Sequence, residues 1–165
     1  MQPFAWALCA GVKDVENRSY APPASLGALP CWLAIHASKS ALDEARHGRR
    51  DAIAARCARA GAPLPRDREL ARGALVGVVR VVGAAPAGDA RVRDSPWAIA
   101  GSQCWIVDPR RSRALAAPVP ARGRLGLWEP DARARAALDA LVAAPAARGA
   151  RDEAPSADGA VCVID

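Results

Sequence analysis

The sequence predicts an α+β fold, a small mixed β-barrel of short strands flanked by helices. Three observations predict it. Residues 73–83 are bounded by Gly73 and Gly83 and carry Val76, Val78, Val79, Val81 and Val82, the β-branched density of a strand. Between Trp97 and Trp128, short apolar stretches are parted by Gly and Pro turns, a spacing that favours a barrel over a doubly wound sheet. Helical patterning is confined to the N-terminus, one central Ala- and Arg-rich segment, and a segment after Pro130.

Taken in order, Pro3 suits a first helical turn, Phe4 and Leu8 fall at helical spacing, and Gly11 stops the run, so residues 3–10 read as a short helix. Residues 12–20 read as a short strand leading into a loop closed by Pro22 and Pro23. Leu29 to Ala37 is a near-continuous apolar run of buried-strand length. Ser40 is a suitable N-cap, Asp43 and Glu44 sit in the first turn, and the helix they open carries to Gly61, weakened at Gly48. After the strand at 73–83, whose glycines suggest a bend or bulge, come short strands at 97–100, 103–107, 113–117 and 125–128. Pro130 opens a C-terminal helix over residues 131–144, with Leu138, Leu141 and Val142 toward the body of the domain. Residues 1–130 thus form one domain with this helix packed on it. Residues 145–165 are expected to be a mostly mobile tail, with Val161 to Ile164 docking as an edge strand.

With 165 residues, the chain suits one domain of ordinary size. Its 41 Ala leave only 44 larger apolar residues, so the core must be small. No apolar run reaches the roughly 18 residues of a membrane span, and Met1 to Phe4 open no signal peptide. Five cysteines at 9, 31, 57, 104 and 162 form no C-x-x-C pair, so they read as reduced thiols of a cytoplasmic protein, not as a disulfide framework or zinc site. The formal charge of +6 is uneven: through Trp128 there are 19 bases against 10 acids, and beyond it 4 against 7. A basic body suits an anionic partner, foremost nucleic acid. Of the 23 bases 21 are Arg, which makes Lys13 and Lys39 notable as the two compact ammonium groups.

The densest polar cluster is Lys13, Asp14, Glu16, Asn17 and Arg18. Alternation puts Glu16 and Arg18 on one face, and Lys13 joins them only where the strand twists or bulges. Such a group would hold a hydrogen-bonding or anionic ligand, with Glu16 fixing the two cations. His36, Ser38 and Lys39 follow the buried strand at 29–37, where a strand end presents side chains at a rim. Trp97, at the edge between a loop and the strand at 97–100, offers a ring for stacking a base. Arg122 and Arg124, beside Pro118 and Pro120, form a loop suited to phosphates. There is no phosphate-binding glycine loop, nucleophile elbow or zinc-protease motif, and neither a metal nor a cofactor is implied.

Together these residues resemble the ASCH (activating signal cointegrator homology) domain. The resemblance is carried by Gln2-Pro3-Phe4-Ala5, by Gly11 to Tyr20 with Lys13, Glu16 and Arg18, by Leu33 to Lys39, by Gly73 to Val79, by Ser95 to Ala98, by Trp105-Ile106, by Pro118 to Gly123 and by Leu127-Trp128. It spans roughly residues 2 to 129. It implies a PUA-like fold with a cleft at the barrel mouth, Lys13, Glu16 and Arg18 on one wall and Ser38 and Lys39 on the other. It also implies a module that binds RNA, another single-stranded nucleic acid or a modified nucleobase. The alternative it implies is a hydrolase, since some bacterial relatives cleave the amide of acetylated cytidine and others are ribonucleases, the latter suggesting metal assistance. In the amide-cleaving relatives a threonine nucleophile lies three residues after the motif lysine. Here that place is Glu16, and the chain has no Thr, so an enzyme would need Glu16 as base for water and Lys13 at the oxyanion.

Overall fold

The computed structural model describes residues 1–144 and 162–164, with the side chains of Arg46 and His47 left aside. The elements run α1 (Phe4–Cys9), β1 (Val15–Arg18), β2 (Cys31–Ala37), α2 (Glu44–His47), α3 (Arg50–Arg59), β3 (Ala74–Pro86), β4 (Gln103–Pro120), α4 (Ala132–Ala143) and β5 (Cys162–Ile164). The fold is α+β. The expectation for residues 145–161 and for Asp165 lies outside the described residues.

The five strands form one mixed sheet in the order β1-β4-β3-β2-β5, antiparallel except for the parallel pair β2–β5. The expected closed barrel is not formed. Closure would require β1 and β5 to pair, but these are strands of four and three residues at opposite edges of the sheet. The sheet stays open, bent rather than closed, by register shifts at Ile35/His36 in β2 and at Leu75/Gly77, Val78/Arg80 and Val81/Gly83 in β3. At one bend Gly77 is obligatory: a Cβ there would meet the Arg113 carbonyl oxygen at 2.2 Å and Cys9 Sγ at 2.8 Å.

The separate strands expected at 103–107 and 113–117 are one strand of 18 residues. Residues 97–100 are a loop, and from 125–128 only Trp128 joins the ladder, by a bridge to Val163. The helix expected from Ser40 to Gly61 is two helices, interrupted at Gly48, whose φ of +84° no helix accommodates. α4 starts one residue inside the sequence-predicted limit, with Asp131 as N-cap accepting from the Ala134 amide at 2.8 Å.

Apolar side chains pack in three groups. Leu8, Leu33, Ile35, Val79, Val81, Trp105 and Ile164 fill the face toward α1. Val12, Val15, Ile53, Cys57 and Trp97 join α3 to β1. Trp32, Leu75, Val78, Leu138 and Val163 seat α4 on the other face. Among the described residues no helix is long and apolar enough to cross a membrane.

Candidate functional site

β1 brings its charged residues together. Glu16 pairs across the ladder with Trp105 and Arg18 with Gln103, which puts both on one face. Lys13 precedes the strand and is free of its alternation, so it reaches the same face from below. Its Nζ donates to Glu16 Oε2 at 2.6 Å and to the Val15 carbonyl, while Arg18 Nη2 lies 3.2 Å from Glu16 Oε1. Lys13 is buried, and Glu16 and Arg18 are about one-fifth exposed. Burial pushes the Glu16 carboxyl up, but the ammonium of Lys13, the guanidinium of Arg18 and the bond from Lys13 together hold it below the usual carboxylate range. The carboxylate is therefore shared between two cations and satisfied by them.

The neighbouring residues are tied just as firmly. Asn17 donates to the Trp97 carbonyl at 2.8 Å and accepts from the Ile99 amide and Ser102 Oγ, both at 2.9 Å. Asp14 accepts from Ser95 Oγ at 2.5 Å. These bonds hold residues 95–102 as a loop and seat Trp97 in the core. Its indole is 4% exposed, packs edge-on to Phe4, carries Arg56 over its ring at 5.6 Å and donates to the Val12 carbonyl at 3.0 Å. The ring expected to stack a base is thus enclosed by protein.

A second assembly forms at one end of the sheet. Ala37 ends β2, Ala74 opens β3 and Pro120 ends β4, and the register pairs Ala37 with Ala74 and Ala74 with Pro120. The residues just beyond these three ends must therefore meet. They enclose an open cleft of about 670 Å³ lined by His36, Ser38, Lys39, Gly73, Pro120, Ala121, Arg122 and Gly123. No lining residue is acidic, and Lys39 and Arg122 are both exposed.

The cleft is built, not incidental. The Gly73 amide donates to the Ala37 carbonyl at 2.6 Å, and the Ala121 amide donates to the Gly73 carbonyl at 3.1 Å. Buried His36 donates through Nε2 to the Ala121 carbonyl at 3.1 Å, and its ring packs edge-on to Trp128. Arg72 donates to the Ser40 carbonyl at 2.7 Å, fastening the Ser38–Ser40 wall to the opposite one. Gly73 has φ +63°, and a Cβ there would come within 2.7 Å of Lys39 Cε, so this glycine gives the lysine stem its path.

Lys13, Glu16 and Arg18 thus converge, and so do Ser38, Lys39 and Arg122, but none of Lys13, Glu16, Arg18 and Trp97 lines the cleft. Arg124 stands beside it, 5.9 Å over the Trp128 ring. Sequence reasoning kept Arg122 apart from Ser38 and Lys39 because more than 80 residues separate them. The available signal was that each group directly follows a strand. Among the described residues no group of three His, Cys, Asp or Glu stands close enough to hold a metal. In comparisons with known proteins, no family model matches the chain and no curated protein matches it.

Proposed function

We propose that this chain is an RNA-binding module of ASCH type, related in arrangement to PUA-like domains, and that it holds the backbone of a single strand in the cleft between Ser38-Lys39 and Arg122. One observation carries the reading: three strand ends place an ammonium, a guanidinium and a hydroxyl around a cleft with no acid in its lining. Phosphate oxygens are the partners such a set fits, with Lys39 as a point charge and Arg122 as a fork. A cleft of about 670 Å³ also has room for one nucleoside, such as a modified base. The Lys13–Glu16–Arg18 chain, whose carboxylate is held by both cations, serves to fix β1. Free thiols at Cys9, Cys31, Cys57, Cys104 and Cys162 suit a reducing cytoplasm.

The hydrolase alternative gives Glu16 the role of base. Two cations that hold its carboxyl below the usual range weaken it as a proton acceptor, which favours the binding module.

The test is the affinity for a fluorescent single-stranded RNA as a function of salt. Log affinity falls linearly with log salt, and Lys39→Ala and Arg122→Ala each weaken binding and reduce the slope by about one. Both side chains are exposed, so the variants fold. Absence of binding by the wild type even at low salt overturns the reading.

A further inference from the structure

Resting on that reading, we infer that the loop bordering the cleft presents Leu125 as an apolar wedge that inserts between two bases of the bound strand. Among the described residues Leu125 is the most exposed large apolar side chain, at 101%, where the next, Ile99, reaches 50%. A lone exposed leucine needs no explanation in general. The surroundings of this one supply one.

The loop that carries it is pinned at both ends. At its start, Ala121 is bonded through its amide to Gly73 and through its carbonyl to His36. At its end, Trp128 exchanges two backbone bonds with Val163, at 3.2 and 2.8 Å. Between these anchors Gly126 adopts φ +74°, turning the chain next to Leu125. The exposure of the leucine therefore belongs to a held loop tip and not to a fraying end.

Its neighbours fix the kind of partner. Arg122 and Arg124 precede it on the same loop, both exposed, and the Arg124 guanidinium is steadied over the Trp128 ring, which itself packs on His36 of the cleft lining. An apolar tip that follows two arginines on one loop, beside an acid-free cleft, suits a ligand that alternates anionic groups with flat apolar faces. A single-stranded nucleic acid is that ligand: phosphates for Lys39, Arg122 and Arg124, and unstacked bases for the leucine. The wedge also supplies what Trp97, enclosed in the core, does not.

The experiment uses the full chain and a short single-stranded RNA carrying 2-aminopurine, which brightens when it loses a stacked neighbour. Wild type brightens the probe on binding. Leu125→Ser abolishes the brightening and binds about tenfold more weakly, with an unchanged salt slope because no charge is removed. Leu125→Phe retains both signals. If Leu125→Ser binds and brightens the probe as wild type does, the wedge is overturned while RNA binding stands. If wild type fails to bind the RNA at low salt, both fall. A third arm offers vesicles of phosphatidylcholine with phosphatidylserine: binding to them that Leu125→Ser abolishes, with RNA binding unaffected, makes the loop a lipid contact and overturns the inference.

Discussion

A buried ammonium must be paired, and at the residue scale Lys13 shows how the sequence arranges this. The cation lies two residues before β1, close enough to Glu16 to bond at 2.6 Å and outside the strand's alternation. Glu16 in turn carries a second cation, Arg18. Removing one member strands the others: Lys13→Met costs about 3 kcal/mol because it leaves the carboxylate with half of its compensation. The pH dependence has a definite sign. The folded carboxyl titrates below its ordinary, unfolded value, so its stabilisation is complete above that value and is lost as pH falls through the lower, folded one. Urea unfolding should therefore find Glu16→Gln less stable than wild type by about 2 kcal/mol at neutral pH, with the gap narrowing in acid. A gap that stays constant from neutral pH to pH 3 would show that Glu16 is not held by its two cations. The cluster was legible in the sequence as a density of charge. The expected partnership of that cluster with Ser38 and Lys39 does not form, because only the strand register decides which loops meet, and the register joins those two to Arg122.

Proline explains why one element was misread. Pro109 and Pro118 look like strand breaks, and they divide residues 103–120 into pieces when read as sequence. Both instead fall in register shifts: residues between Asp108 and Arg113 are passed over while β3 advances from Arg80 to Val78, and residues between Ala114 and Val119 while it advances from Gly77 to Leu75. Bulged residues have no ladder bond to donate, so the prolines bend β4 without ending it. The β-branched run of β3 and the apolar run of β2, which depend on local composition alone, were legible to within a few residues. The same long strand finishes α4. Arg113 Nη1 donates to the carbonyls of Leu141, Val142 and Ala144 at 2.6, 2.9 and 2.5 Å, and the guanidinium lies 5.3 Å over the Trp32 ring. A cation on the last carbonyls satisfies acceptors that the helix itself leaves open. Arg113→Ala should lower stability by about 2 kcal/mol and speed hydrogen exchange in the last turn of α4 ahead of the rest of the helix. Uniform exchange throughout α4 would count against the cap.

At the scale of the whole molecule, the sheet order β1-β4-β3-β2-β5 brings the last residues of the chain beside a strand from its first quarter. No local pattern announces such a parallel pairing across more than a hundred residues, yet the apolar run at 161–164 did mark a segment in need of burial. Val163 is 0% and Ile164 2% exposed, the first under α4 and the second against the α1 face, so three residues serve both packing layers. Val163 is also the backbone partner of Trp128, which ends the loop carrying Arg122, Arg124 and Leu125. Deleting residues 162–165 should then have two effects. Two side chains lose burial worth roughly 1.5 to 3 kcal/mol each, and β2 becomes an exposed edge prone to association. The loop loses its far anchor, so on the proposed function the affinity for RNA falls by more than the stability change explains at temperatures where the shortened chain remains folded. Val163→Ala, which keeps the backbone bonds to Trp128, separates the two: it should lower the unfolding midpoint and leave RNA affinity unchanged. A shortened chain that unfolds at the wild-type midpoint would mean that β5 contributes nothing to the sheet it borders.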